Sequence, residues 1–529
     1  MPDVGLLTPG ADLAPGSPAA VTDDVAVLRA MLRAEAAWVR VVVRHRAARP
    51  GSAPDPGADT GDADTGDADT GDADTGAAAA EIDAVVERLA GADDNALALA
   101  TGLARAAAAG GNPVIPLVAA LREAAGPRLA LVVHAGLTSQ DVLDTALVLV
   151  LRDAADGVVA DLDRAAAAAA RLAAEHRARP ALARTLAQAA VPTTLGARFA
   201  GWLQGILAAR AFLAAVSDAL PLAYGGAAGE LSGVLELSDV VGPRDGAQSS
   251  GGVGLTEGPG QLEGSGQSEG AGRSEGAEQS GGAGQSENAG RPERSGQSEG
   301  AWRSGGDGSS GSVDGSGSVR PAFDLVEAWG AELGLPVGPA PWHVTRTPVV
   351  RVASALAETC TALGKVANDV LQAVRPGVDE LREPAAPGRG ASSAMAHKRN
   401  PVLSVLVRRS AIAAPHPAAQ VLSAAALAVD ERSDGAWHAE WPALQQLARH
   451  AVGSAHAAAE LLEGLEVDAE AVARNLRQGL PDAGPVPDAG SVPDAKSVLD
   501  VGPVLDVGAA AAVVDRVLHQ YAEQTRQDA

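Results

Sequence analysis

The stretch TSQDVLDTALVLVLRDAADGVVADLDRAAAAAARLAAEHRA, residues 138–178, contains no proline and a single glycine, Gly157. Thr138 followed three residues later by Asp141 is a capping-box pattern, so a helix starts there. A helix this long buries its apolar side only against other long helices, which implies a bundle. A second stretch, ASALAETCTALGKVANDVLQAV, sets Leu356, Cys360, Leu363, Val366, Val370 and Val374 at steps of three and four, one apolar stripe. Aromatic residues make up only 2% of the 529 residues while hydrophobic residues make up 46%, so the core is built from Ala, Leu and Val. Alanine ranks first in helix propensity and strand-like alternation is scarce, so the expected class is all-α.

The formal net charge of -25 offers no basic field for nucleic acid or an anionic membrane surface. Cys360 is the single cysteine and cannot form an internal disulfide. Its place on the apolar stripe, with nothing basic beside it, reads as a small core residue rather than a nucleophile. The N-terminus MPDVGLLTPGADLAPG has neither a basic nor an apolar signal region, which points to the cytoplasm. The uncharged run from Ser410 to Val429 has the length of a membrane span but carries Pro415, His416 and Pro417, and reads as a kinked buried helix.

Three segments break the helical pattern. Residues 57–76 repeat DTGDA, residues 246–318 are Gly/Ser/Glu/Gln-rich, and residues 481–508 repeat variants of PDAGSVLDVG. None buries enough apolar surface to offset its ordering entropy, so each is expected to be a disordered or extended insert at a surface loop. DADTGD has the alternate oxygens of a calcium loop but lacks the closing Glu, so no calcium site is read there.

Two stretches carry chemistry. In HAGLTSQD, a helix N-terminus with free N–H groups and the positive end of the dipole is decorated by hydroxyls and an amide, a place where a carboxylate binds without arginine. In GRGASSAMAHKRNP, Gly388 and Gly390 leave the loop pliable and Lys398 places a cation near Ser392 and Ser393. A serine hydroxyl is a poor base until cations and backbone dipoles stabilise its alkoxide, and a loop closing over an anion supplies them. His438 and Glu440 in WHAEW lack metal-ligand spacing and read as packing or network residues, so no metal is expected. YGGAAGE follows no strand pattern, and no nucleotide cofactor is implied.

ASSAMAHKRNP resembles the signature loop of the fumarase/aspartase superfamily, with Ala391 and Ala396 where the usual form has glycine and proline. HAGLTSQDVLDTA and RTLAQAAVPTTLGARFAGWL resemble two further superfamily regions. GGNPVIPLV, YGGAAGE, PWHVTR and ERSDGAWHAEWP resemble the bacterial 3-carboxy-cis,cis-muconate cycloisomerases within it. The resemblance implies a three-domain fold around a central long-helix bundle: residues 1–111, 112–464 and 465–529. It also implies a homotetramer with active sites shared between subunits, a small polycarboxylate substrate and no cofactor. By position, Ser392 is the catalytic serine, with Lys398 and Asn400 stabilising the developing enolate charge. Thr138, Ser139 and Gln140 would hold carboxylates, with His134, Arg184, His343, Arg346, Ser393 and Met395 as further substrate contacts, although Arg184 and Arg346 read equally well as surface or interhelical salt-bridge partners. Ser393 is expected chiefly to orient the loop.

Adenylosuccinate lyase-like members carry a histidine and a glutamate where this chain has Leu186 and Val405. An amine leaving group requires a proton, so such a lyase benefits from a second acid–base residue. A carboxylate adding to a double bond is already ionised at neutral pH and departs unaided in reverse. The expectation is therefore a cycloisomerase of protocatechuate breakdown, in which only the carbon proton needs an enzymic carrier. The alternatives are an adenylosuccinate lyase-like enzyme and an inactive relative kept for binding or structure. Ala396 should loosen the loop, and Glu230, where threonine is common, would repel an anion if it points inward.

Overall fold

The computed structural model describes residues 6–14, 16–48, 70–239, 316–395, 397–480 and 506–527. Among them fourteen α-helices follow in order: α1 (Asp24–Ala47), α2 (Thr70–Ala90), α3 (Asp93–Gly110), α4 (Val114–Ala130), α5 (Ser139–Glu175), α6 (Leu195–Asp218), α7 (Ser232–Asp239), α8 (Ser316–Leu333), α9 (Thr347–Ala373), α10 (Val402–Ala413), α11 (Pro415–Ala426), α12 (Gly435–Glu463), α13 (Ala469–Gly479) and α14 (Ala510–Gln527). Four short strands form two antiparallel pairs, β1 (Pro180–Thr185) with β2 (Gln188–Thr194) and β3 (Leu381–Arg382) with β4 (Glu466–Val467).

The expected long helix is α5, and Asp141 Oδ2 accepts the Thr138 backbone N–H at 2.8 Å to start it. Every residue from Gln140 to Leu151 is buried, so this end of α5 is surrounded on all sides rather than packed on one stripe. It packs against α1, α6 and α12, with α9 closing the bundle against α6 and α12. The α9 stripe lies inside: Leu356, Cys360, Leu363 and Val370 are fully buried. Burial pushes the Cys360 thiol up to about 12, which leaves it an inert core residue. One apolar core runs from Ala11 to Val517 and crosses both expected domain boundaries, after 111 and after 464.

Several details depart from the sequence reading. The last residues of the DTGDA repeat, from Thr70, form the first turns of α2, and the last residues of the second insert open α8 at Ser316. The rest of the three inserts up to residue 505 lies outside the described residues, as does Ala396. The uncharged run after Ser410 is two helices rather than one kinked helix. α10 ends at Ala413 and α11 starts on Pro415, whose ring cannot continue a helix interior. Among the described residues the helix long and apolar enough to cross a membrane is instead α6, half of it buried in the bundle. The β1–β2 hairpin also goes beyond the sequence reading. Its turn residues Leu186 and Ala187 both have positive φ, 49° and 65°, the geometry that matches the twist of two flanking strands.

Candidate active site

The residues singled out by sequence gather at two poles of the bundle. At the first, the N-terminal end of α5, Thr138 and Ser139 are partly exposed, and the turn before them carries His134 at φ 59° and Gly136 at φ 74°. A Cβ on Gly136 would sit 2.8 Å from the Gly233 carbonyl, so glycine is required for the turn to meet the start of α7. The His134 backbone N–H donates to Glu35 Oε2 at 3.1 Å, and its Nδ1 lies 2.6 Å from Oε1 of the same carboxylate, which is fully buried.

Gln140, His343 and Arg346 stand just beneath, Gln140 and Arg346 engaged by neighbouring groups and His343 engaged through Nε2, while its buried Nδ1 has no hydrogen-bond partner among the described residues. Gln140 is fully buried, donates to the His343 carbonyl at 2.8 Å and to Asp144 at 3.1 Å, and accepts from Arg432 at 3.4 Å. His343 Nε2 is 2.8 Å from Asp141 Oδ1, and the ring lies so close to Gly225 that a Cβ there would be 2.7 Å from it. Arg346, 4% exposed, makes a bidentate contact with Asp144 at 2.6 and 3.2 Å and binds Glu440 at 2.6 Å, with Trp342 beneath its guanidinium at 4.8 Å. Burial alone would lower the proton affinity of Arg346, but Asp144 and Glu440 raise it further. Burial pushes Glu440 up, and the charge of Asp144 adds to that, against the pull of Arg346. In this structure Gln140, Arg346 and His343 Nε2 therefore belong to a support network, as in the salt-bridge reading of Arg346, and the network reading of Glu440 holds.

The second pole carries the serine loop. Gly390 and Asn400 close it: the Asn400 N–H donates to the Gly390 carbonyl at 2.9 Å, and its Nδ2 donates to the same oxygen at 3.3 Å. Asn400 is therefore a staple at the loop base, its side-chain amide turned to the Gly390 and Ala391 carbonyls. Gly390 has φ 69° and a Cβ there would lie 2.6 Å from the Asn400 carbonyl. Glu383 secures the following helix, accepting the Leu403 and Ser404 N–H groups at 3.0 and 2.8 Å. Within the loop, Ser392 Oγ accepts the backbone N–H of Met395 at 3.2 Å and of Ala394 at 3.4 Å. Two amide dipoles therefore already point at the atom that must carry negative charge if the serine is to act as a base. Ser393, Met395 and Lys398 are exposed beside it.

Arg184, from β1, belongs to this pole, but both its terminal nitrogens are taken by Glu380, at 2.7 and 3.2 Å. Burial raises Glu380, yet the hydrogen bonds of Arg184 and Asn475 and the charge of Arg198 outweigh it and hold the carboxyl below its ordinary range. Arg184 thus anchors the hairpin. Leu186 at the hairpin tip is 97% exposed and Val405 on α10 is 50% exposed, so neither contributes an acid. Glu230 faces solvent and accepts the Ser232 N–H at 2.8 Å at the start of α7, so it does not point inward.

The poles are far apart within one chain. Trp437 Nε1 donates to Asp144 at the first, whereas Arg389, in the segment leading to the serine loop, pairs with Glu460 near the second. Both partners lie on α12, separated by roughly 35 Å of helix at 1.5 Å per residue. Glu35, Asp141, Asp144, Arg432, Glu380 and Glu383 escaped the sequence reading as site residues. Asp141 was legible as the capping-box acid, and Glu35 carried a signal as an acid between Ala34 and Ala36 on the buried side of α1.

Comparison with known proteins agrees with this architecture. A family profile described as lyase matches residues 67–235. A nitrosuccinate lyase of Streptomyces davaonensis is 39% identical over 479 residues, covering 90% of this chain and 77% of that protein. A 3-carboxy-cis,cis-muconate cycloisomerase of Bradyrhizobium diazoefficiens is 34% identical over 378 residues, covering 71% of this chain and 65% of that protein, just under two thirds of its length. The crystal structure of 3-carboxy-cis,cis-muconate lactonizing enzyme from Pseudomonas putida aligns with a TM-score of 0.66 at 24% identity, over 98% of this chain and all of that one. With its all-helical bundle, serine loop and helix-capping TSQD stretch, the chain belongs to the fumarase/aspartase superfamily of lyases.

Proposed function

We propose that this chain is a lyase that removes a carbon-bound proton and an anionic leaving group from adjacent carbons of a substituted succinate, with nitrosuccinate as its substrate. The observation that carries this reading is the contrast within the second pole. Ser392 Oγ is poised under two N–H groups, while Leu186 and Val405 leave the positions of a leaving-group acid apolar. Nitrite, like a carboxylate, is the conjugate base of an acid already ionised at neutral pH, so it departs without a donated proton. The relative acting on nitrosuccinate, which aligns with most of this chain, supports that choice among anionic leaving groups.

In the proposed step the ionised Ser392 takes a proton from the carbon next to one carboxylate. The C–H electron pair becomes the new carbon–carbon double bond, and the C–N pair leaves with nitrite. The products are an unsaturated four-carbon dicarboxylate and nitrite, and the proton ends on Ser392. Lys398 and the Ala394 and Met395 amides stabilise the alkoxide before the step and the carboxylate-centred charge during it. Thr138, Ser139 and His134 bind a substrate carboxylate at the N-terminus of α5. Asn400, Arg184, Gln140, His343 and Arg346 act one step back, holding loop, hairpin and helix end in place. No cofactor enters the step. Because the poles lie far apart in one chain, the working site is assembled between subunits of a homotetramer in the cytoplasm.

A second reading is lactone formation by a 3-carboxymuconate cycloisomerase, supported by the relatives of that name. It needs the same serine and the same absence of a leaving-group acid. Incubating the purified protein with each substrate separates them: nitrite release from nitrosuccinate, lost in Ser392→Ala, bears out the first reading. Loss of diene absorbance from 3-carboxymuconate without nitrite release bears out the second. Neither signal would mark an inactive relative and overturn both.

A further inference from the structure

The turn before α5 is held in an unusual way. His134 occupies the left-handed region at φ 59°, a conformation that is strained for a non-glycine residue and persists only where its surroundings impose it. Three side chains impose it here. Arg122 donates to the Val133 carbonyl at 3.0 Å, Trp38 Nε1 donates to the Ala135 carbonyl at 2.8 Å, and between them Glu35 takes both the backbone N–H and the ring Nδ1 of His134. Glu35 and Trp38 stand one turn apart on α1, so a single helix face grips consecutive residues of the turn. Trp38 is itself fixed edge-on against Trp329 at 5.3 Å.

We infer that Glu35 is a positioning residue that sets the tautomer and orientation of His134 for carboxylate binding, a role that rests on the reading of His134 given above. A carboxylate has acceptors only, so the proton in the 2.6 Å contact sits on His134 Nδ1. Nε2 is then the ring nitrogen left for the substrate, and the imidazole is pinned at backbone and ring together. Glu35 is fully buried, and both its carboxylate oxygens face His134, one the backbone N–H and one the ring Nδ1. Where a carboxylate orients a metal-ligating imidazole through its second nitrogen, its removal costs about 10- to 100-fold in affinity or activity, and a loss of the same order is expected for the orienting role here.

Nitrogen NMR of histidine-labelled protein, with the His134 signal identified by its loss in His134→Asn, reads the tautomer directly. Wild-type protein is expected to carry hydrogen on Nδ1. In Glu35→Gln, whose amide hydrogens can face Nδ1, that signature should weaken. KM for nitrosuccinate should then rise about 10- to 100-fold with kcat little changed, since a ground-state contact is lost, and Glu35→Asp should restore part of the loss. A wild-type His134 protonated on Nε2 alone overturns the inference, whatever the substrate. So does a Glu35→Gln variant with the wild-type tautomer and KM. If nitrosuccinate is not turned over at all, the functional reading fails while the tautomer measurement still decides the role of Glu35.

Discussion

Replacing Arg346 with methionine tests the support network under the α5 end. The guanidinium is one positive charge between two carboxylates, Asp144 and Glu440, each 1% exposed. Methionine matches the stem and keeps contact with Trp342 but leaves both acids without their cation. Asp144 retains hydrogen bonds from Gln140 at 3.1 Å and Trp437 at 2.9 Å, whereas Glu440 draws its hydrogen bonds from Arg346. Breaking a buried ion pair on one side costs about 3–5 kcal/mol, and most of that cost should fall on Glu440. Glu440 is already raised by burial and by Asp144, and losing Arg346 raises it further. A carboxyl raised above its unfolded value favours the folded state as pH falls, so the Arg346→Met defect should shrink between pH 7 and pH 5. Adding Glu440→Gln should recover about half of the loss at pH 7. Denaturant midpoints at matched protein concentration, for wild type and the single and double variants, read these differences. A single variant as stable as wild type at pH 7, or a double variant showing the plain sum of two losses, would refute the reasoning.

Other consequences follow from single residues. Gly390→Ala forces a Cβ to within 2.6 Å of the Asn400 carbonyl at φ 69°, so turnover should fall about 100-fold with a small change in Tm, measured by initial rates and thermal melts. Glu380→Gln removes the charged partner of Arg184 and Arg198 and should cost about 2–3 kcal/mol in urea unfolding. Because Glu380 is held below its unfolded value, the stabilisation is present above the ordinary glutamate range and is lost as pH falls through its depressed pKa. Burial, with the charge of Arg409, pushes His450 down to about 4, so it weakens the fold as pH drops from about 6.5 toward 4; His450→Gln should flatten the pH dependence of Tm there. Cys360, fully buried and pushed up to about 12, should react with thiol reagents only on unfolding, as a mass-shift time course will show.

What the chain reveals before its structure is what local chemistry encodes. The α5 start is written in Thr138 and Asp141, the α9 stripe in its three-and-four spacing, and the serine loop in its glycines and hydroxyls. The hairpin stays hidden because Leu186 and Ala187 take positive φ without the glycine or asparagine that would announce it. Sequence leaves Arg346 and Arg184 open between substrate contact and salt-bridge partner, and reads Gln140 as a substrate contact, because their partners Glu440, Glu380 and Asp144 are assigned by packing, not by spacing. Asn400 sits in the signature loop, yet its amide closes that loop onto Gly390. The distance between the poles is likewise set by the course of α12, which no motif encodes.

The central claim is that this site moves one carbon proton and leaves departure to a group that needs none. Side-by-side turnover of nitrosuccinate and adenylosuccinate, two substituted succinates with anionic and amine leaving groups, tests it most directly. The account predicts nitrite release that vanishes in Ser392→Ala and no cleavage of adenylosuccinate. Cleavage of adenylosuccinate at a rate equal to or above nitrite release would contradict it.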